Sequence, residues 1–364
     1  MSANRANDEI SFETRGPLGL ITMTRPKALN ALTLSMIREM QPQLDRWAAD
    51  PAVAAVAIRG EGERAFCAGG DVRAVWTAGQ DGQFQPGIRG HLAGDFFREE
   101  YQLNRRIHTF EKPYIALIDG ITMGGGVGLS IHGDLRLAGP KTLFAMPETA
   151  IGLFPDVGGS FFLPRLPGAF GLYLALTGER LKAGDCMTAG IATHNVAGDS
   201  EEAIIDALSE ADWGQGLRAA ETALAPFTAE PEAAGHLSAL RAAIDRCFGG
   251  KNKVEEVIAA LEAEGGDWAE ATLATLAKRS PTSMKVTFEQ LRRGADLDFD
   301  ACMTMEYRMS QAAMRPGRDF YEGIRAVLVD KDHAPKWSPD SLEEVHSAAV
   351  EAWFAPLGEG DLSF

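Results

Sequence analysis

An apolar run, Tyr114–Ile118 ("YIALI"), leads into three consecutive glycines, Gly124–Gly126, within "GITMGGGVGLSIHG". Glycine loses more backbone freedom on folding than any other residue, so a triplet has to be kept for a reason. Either a neighbouring segment packs against this backbone or a ligand approaches it. Spacing decides between some ligands. A dinucleotide fingerprint needs G-x-G-x-x-G, but the sixth position counted from Gly124 is Leu129. A serine-nucleophile elbow needs G-x-S-x-G, but His132 stands where the closing glycine after Ser130 is required. Two readings stay open: tight packing of a strand against a helix, and an oxyanion hole made of bare main-chain N–H groups.

Around the triplet the chain alternates between strand and helix patterns. Residues 9–24 read as two short strands about a Gly16-Pro17 turn. In "TLSMIREMQPQLDRWAAD", Met36, Ile37, Met40, Leu44 and Trp47 recur at helical spacing. "VAAVAIRG", "PYIALIDG" and "RLAG" read as buried strands, which gives an α/β class. From about residue 200 the chain becomes rich in Ala and Glu and helical in period. We therefore expect an α/β core over residues 1–205 and a helical region over 206–364 that packs on it.

Bulk properties narrow the function. With 364 residues and 45% hydrophobic composition the chain can bury a large core. A net charge of −16 without a block of Lys and Arg argues against nucleic-acid binding. The polar start, "MSANRANDEI", has no apolar signal core, and no run of about 18 apolar residues occurs, so a soluble, cytoplasmic protein is expected with no membrane partner. The four cysteines, at 67, 186, 247 and 302, form no CxxC pair and read as reduced, buried thiols. His132, within the expected helix after the triplet, reads as a packed histidine. Neither it nor His194 has ligand-spaced neighbours, so no metal is indicated.

Several polar residues stand in apolar surroundings. "AFCAGGDV" is a second glycine loop and exposes an N–H at Gly69 or Gly70. "AMPETAIGLFPDVGG" carries Glu148 and Asp156 in a stretch too apolar for solvated carboxylates. Glu148 also fits the acid of a helix first turn after Pro147, and Asp156 a turn residue before Gly158. On a helical wheel of "GDFFREEYQLNRRIH", Glu100 lies in the middle of the Phe96, Phe97, Leu103, Ile107 face, while Glu99 does not. A buried acid needs a partner or a role, and an internal salt bridge is the plain alternative. Arg25 and Lys27 in "TRPKALNAL" are two cations at a strand end, suited to phosphates or to a solvated turn.

Taken together, "RPKALNAL", "AFCAGGD", "GITMGGGVGLS" and "MPETAIGLFPDVGG" resemble the crotonase superfamily of CoA-thioester enzymes. "FFREEYQLN", "FLPRL", "SPTSMKVT", "MEYRMSQAAM" and "EGIRAVLVDKD" resemble its 3-hydroxyisobutyryl-CoA hydrolase subgroup. The resemblance implies a crotonase-like ββα spiral core with C-terminal helices. It implies CoA lying across Arg25, Lys27 and Ala28, with the Ala68 carbonyl at the adenine edge. It implies oxyanion N–H donors at Gly70 and Gly125, with Glu148 and Asp156 as catalytic acids and Glu100 lining the substrate site. Hydratases of the superfamily carry a glutamate where this chain has Gly128, and glycine where it has Asp156. The expected reaction is therefore hydrolysis of a short β-hydroxyacyl-CoA, as in valine catabolism, with no cofactor beyond the CoA of the substrate. An enoyl-CoA hydratase or isomerase, or a silent acyl-CoA binder, remains the alternative. Homo-oligomerisation is left open.

Overall fold

The structure, a computed structural model, describes residues 9–231 and 235–364. The polar N-terminal segment read above lies mostly outside the described residues. Strands β1 (Ile10–Arg15) and β2 (Leu18–Met23) form an antiparallel hairpin in register Ile10↔Met23 to Arg15↔Leu18. Gly16 takes φ +55° at its turn, a backbone conformation that favours glycine. Helix α1 (Leu34–Ala49) starts at Thr33, whose hydroxyl accepts from the Met36 N–H. It buries Met36, Ile37, Met40, Leu44 and Trp47, the five residues its periodicity singles out. Burying each such side chain stabilises by roughly 1.5–3 kcal/mol.

Next the chain repeats one unit three times. Each pass lays one strand in a large sheet and the next in a small one: β3 (Ala55–Gly60) then β4 (Ala65–Cys67), β5 (Tyr114–Leu117) then β6 (Ile121–Met123), β7 (Leu135–Ala138) then β8 (Leu143–Ala145). Strand β9 (His194–Asn195) completes the large sheet, ordered β1-β2-β3-β5-β7-β9, and the small sheet is β4-β6-β8. From β2 onward the large sheet is parallel. Helices α2 (Val72–Gly79) and α3 (Leu92–His108) follow β4, and the single turn α4 (Gly125–Gly128) follows β6. This is the α/β class and the ββα succession expected from the sequence.

By their contacts, the residues group into two compact units. One, drawn from 1–70, 103–144 and 180–238, holds the sheets. Its core includes Leu18, Leu20, Ala57, Ile115, Leu117, Leu137, Ile205 and Leu208. The other, drawn from 71–102, 145–179 and 239–364, is mainly helical and buries Phe97, Tyr101, Phe154, Tyr307 and Phe320. The expected division at 205/206 falls inside the helix Glu201–Glu210, ten residues beyond the last strand, which ends at Asn195. The compact units instead interleave along the chain. Among the described residues no helix is long and apolar enough to cross a membrane.

Candidate active site

Of the carboxyl groups buried in the helical unit, Asp319 accepts from the Ser280 hydroxyl at 2.6 Å, and four others affect one another's protonation. Glu148 opens a 3-10 turn, Glu148–Ile151, directly after Pro147, so it does occupy a first-turn position. It is nonetheless only 4% exposed, which excludes the solvated reading. Asp156 stands in the turn before Gly158 and is 5% exposed. Glu100 is buried on α3 and Glu99 only half-buried, as the helical wheel requires. The fourth is Glu306, fully buried on the Phe299–Ala313 helix.

No cation is among the groups that shift Glu100, Glu148 or Asp156. Burial raises the Glu148 carboxyl well above the usual range, and the neighbouring Asp156 and Glu306 add to it. Burial does the same to Glu100, reinforced by Asp156, Glu148 and Glu306. Asp156 is pushed up to about 7 by burial, held back by a hydrogen bond that the Tyr101 hydroxyl donates to its Oδ2 at 2.9 Å. Burial pushes Glu306 to about 8 against the donors it accepts from. Glu100 Oε1 and Glu148 Oε2 have no hydrogen-bond partner among the described residues. Such oxygens are costly to leave bare. The salt-bridge alternative for Glu100 thus finds no partner here. No group of three or more described His, Cys, Asp or Glu residues is placed to hold a metal ion.

In the sheet unit, β4 and β6 pair in parallel through Ala65↔Ile121 and Cys67↔Thr122, so the two glycine loops that follow them are neighbours. The triplet's glycines have separate reasons. Gly124 takes φ +47°, ψ −120°, a conformation that only glycine adopts readily. Gly126 packs so closely that an added Cβ would stand 2.2 Å from the Cys67 carbonyl oxygen. Tight packing therefore explains Gly126, while Gly125 opens α4. Among the described residues nothing accepts a hydrogen bond from the Gly70 or Gly125 N–H. Both packing and free donors are thus present in one motif.

The Arg25–Asn30 segment is fixed from inside. Asn30 is fully buried. Its Oδ1 accepts from the Arg25 N–H at 3.0 Å, and its Nδ2 donates to the Glu61 and Ala65 carbonyls at 3.0 and 2.9 Å. The Ala68 N–H donates to the Leu29 carbonyl at 3.0 Å, which ties this segment to the loop after β4. Arg25 is half-buried, paired with Glu9 at 3.1 Å and donating to the Ala31 carbonyl at 2.6 Å. Lys27 and Ala28 are exposed. His132 lies beyond α4, which ends at Gly128, and its ring meets that of His108 edge-on at 6.0 Å. All four cysteines are buried and free of disulfides.

A family model described as enoyl-CoA hydratase/isomerase matches residues 18–354. The chain belongs to the enoyl-CoA hydratase/isomerase family. Relatives named "3-hydroxyisobutyryl-CoA hydrolase, mitochondrial" include one from Danio rerio, 49% identical over 100% of this chain and 93% of its own length. The Xenopus laevis relative is 52% identical over 95% of this chain and 89% of its own, and the human one 48% over 99% and 92%. Similar solved structures from this family carry other names. A carnitinyl-CoA dehydratase from Mycobacterium thermoresistibile has a TM-score of 0.89 at 39% identity, covering 98% of this chain and 99% of its own. An enoyl-CoA hydratase from Rhodobacter sphaeroides has 0.87 at 39%, covering 98% and 100%.

Proposed function

We propose that this chain hydrolyses a short β-hydroxyacyl-CoA thioester, with 3-hydroxyisobutyryl-CoA, an intermediate of valine breakdown, as the substrate. The observation that carries this reading is the Glu148 carboxyl, buried, raised by its surroundings and keeping one oxygen without a partner. The names of relatives at about half identity over nearly the whole chain support it.

In this mechanism the thioester oxygen accepts from the Gly70 and Gly125 N–H groups, which take up the charge of the tetrahedral intermediate. Ionised Glu148 removes a proton from water as its oxygen bonds the acyl carbon. The C–S bond then breaks and the CoA thiolate takes the proton from Glu148. In the nucleophilic version Glu148 itself attacks, and water hydrolyses the resulting anhydride. Asp156 and Glu100 hold the substrate hydroxyl. CoA runs along Lys27, Ala28 and Ala68, with Arg25 setting the backbone beneath it. The reaction needs no cofactor beyond the CoA of the substrate.

The hydratase reading is favoured by the names of the two structural neighbours. Against it, position 128 is a glycine buried in α4 and supplies no second acid beside the triplet. The test is thiol release from a panel of saturated β-hydroxyacyl-CoAs, run beside loss of the enoyl chromophore with crotonyl-CoA. Thiol release that Glu148→Gln lowers by about 10²–10⁴-fold, with CoA-ester binding retained, is the expected outcome. Retained turnover in that variant, or hydration without thiol, refutes the reading. A silent acyl-CoA binder would show binding and neither reaction. The relatives' names place them in mitochondria, which does not fit the cytoplasmic placement expected above. We take the mitochondrion as the compartment to test.

A further inference from the structure

The segment from Pro155 to Ser160 carries Asp156 and is held by three helices. Gln290 Nε2 donates to the Pro155 carbonyl at 2.6 Å, and the Tyr101 hydroxyl donates to Asp156. Glu306 receives three donors. The Gly158 N–H reaches its Oε2 at 2.8 Å, the Ser160 N–H its Oε1 at 2.8 Å, and the Ser160 hydroxyl the same Oε1. The Pro281–Gly294 helix closes on the segment so tightly that a Cβ on Gly294 would stand 2.0 Å from the Ser160 carbonyl oxygen.

In the middle of these anchors Val157 takes φ +52°. For a β-branched residue that is a strained conformation, and such strain persists only when the surroundings over-determine it. A relaxed Val157 would swing the neighbouring Asp156 carboxyl away. Glu306 is the anchor with most bonds, and it accepts from Gly158, the residue directly after Val157, and from Ser160.

We propose that Glu306 is a positioning residue for the thioester hydrolysis: by binding the main-chain N–H groups of Gly158 and Ser160 it holds Val157 in its strained state and fixes where the Asp156 carboxyl stands. The inference rests on the hydrolase reading above and adds to it a residue about 150 positions downstream of the loop it serves. Gly158 takes φ +92°, which favours glycine, and Ser160 contributes its hydroxyl as the third donor. The groups that share this buried space are Glu100, Glu148, Asp156, Tyr101 and Cys302, so the charge at 306 is felt across the acid cluster.

The test uses Glu306→Gln and Ser160→Ala in the full chain, with Glu148→Gln as control. Gln keeps the length of Glu but turns an NH2 group toward one of the two N–H donors, so one anchor opens. The expected result is a folded protein whose kcat falls by about 10–100-fold while KM stays within about threefold, because the bound substrate is kept and the reacting geometry is lost. Hydrogen exchange at amides 155–160 rises in the same variant, while the sheet amides are unchanged. A merely structural role would lower the folded fraction and leave kcat per folded molecule at the wild-type value. Glu306→Gln with wild-type kcat overturns the proposal. Should that variant fail to fold, Ser160→Ala decides. Faster exchange at 155–160 with a lowered kcat supports the proposal, and neither change overturns it. If wild-type protein releases no thiol, or Glu148→Gln keeps the wild-type rate, it is the hydrolase reading that falls and this proposal with it. The exchange experiment would still report whether Glu306 clamps the loop.

Discussion

Replacing Asp156 by Asn separates the needs of the fold from those of the chemistry. The carboxyl lies at about 7 in the folded chain against an ordinary value of 3.8. Between those two values the folded state binds more protons at this group than the unfolded state does. Stability therefore falls as pH rises through the window, the reverse of a salt-bridged carboxylate. The cost is absent below pH 3.8 and complete above about 7. Three units correspond to about 4 kcal/mol as an upper bound. Asn avoids that cost and its amide oxygen still accepts from Tyr101, but its NH2 group enters a buried site without an assigned acceptor, at about 1–3 kcal/mol. The net gain at pH 8 is about 1–3 kcal/mol, a Tm higher by about 2–5 °C. Thermal unfolding of both proteins across pH 4.5–8.5, in parallel with thiol release, measures it. The Tm difference should grow from pH 4.5 to about 7 and then level off, while hydrolysis is lost throughout. A difference that does not vary with pH, or a variant that loses most stability at high pH, refutes the argument that burial holds this carboxyl up.

Three further outcomes follow from the geometry. Tyr101→Phe removes the hydroxyl that donates to ionised Asp156, worth about 1.5–3 kcal/mol; the Asp156 carboxyl should titrate about 1–2 pH units higher by carboxyl-carbon NMR, and an unmoved or lowered midpoint contradicts it. Gly126→Ala brings a methyl against the Cys67 carbonyl and should lower stability by about 1–3 kcal/mol in denaturant titration. Asn30→Ala breaks three hydrogen bonds, one buried and two part-buried, and should lower stability by about 2–4 kcal/mol, with weaker CoA-ester binding by calorimetry because the Arg25–Asn30 turn loosens.

Periodicity made part of this architecture legible in the sequence. The five buried residues of α1 and the burial of Glu100 rather than Glu99 follow from helical geometry, which is local. The strands of the small sheet do not emerge that way, because three residues are too few for an alternating pattern. Glu306 was within reach of the same wheel that found Glu100, since Cys302, Met303, Met305, Tyr307 and Met309 surround it in the chain and are buried with it. Its partners were not, because Gly158 and Ser160 are bound across 148 and 146 residues, and no local pattern encodes such a distance. Arg25 shows the same limit. Its type and place suggested phosphates or a solvated turn, and no local pattern encodes that it pairs with Glu9 and donates to the Ala31 carbonyl.

The interleaving of the two units has a consequence for biosynthesis. The sheet-bearing unit is not complete until residue 238 has been made, and the helical unit, begun at residue 71, needs segments that extend to 364. Gln290, Gly294 and Glu306 all lie in that last stretch. A nascent chain leaving the ribosome therefore carries the loop around Asp156 for well over a hundred codons before these three anchors exist. A chain cut short after residue 205 would keep the glycine motifs and never set that loop.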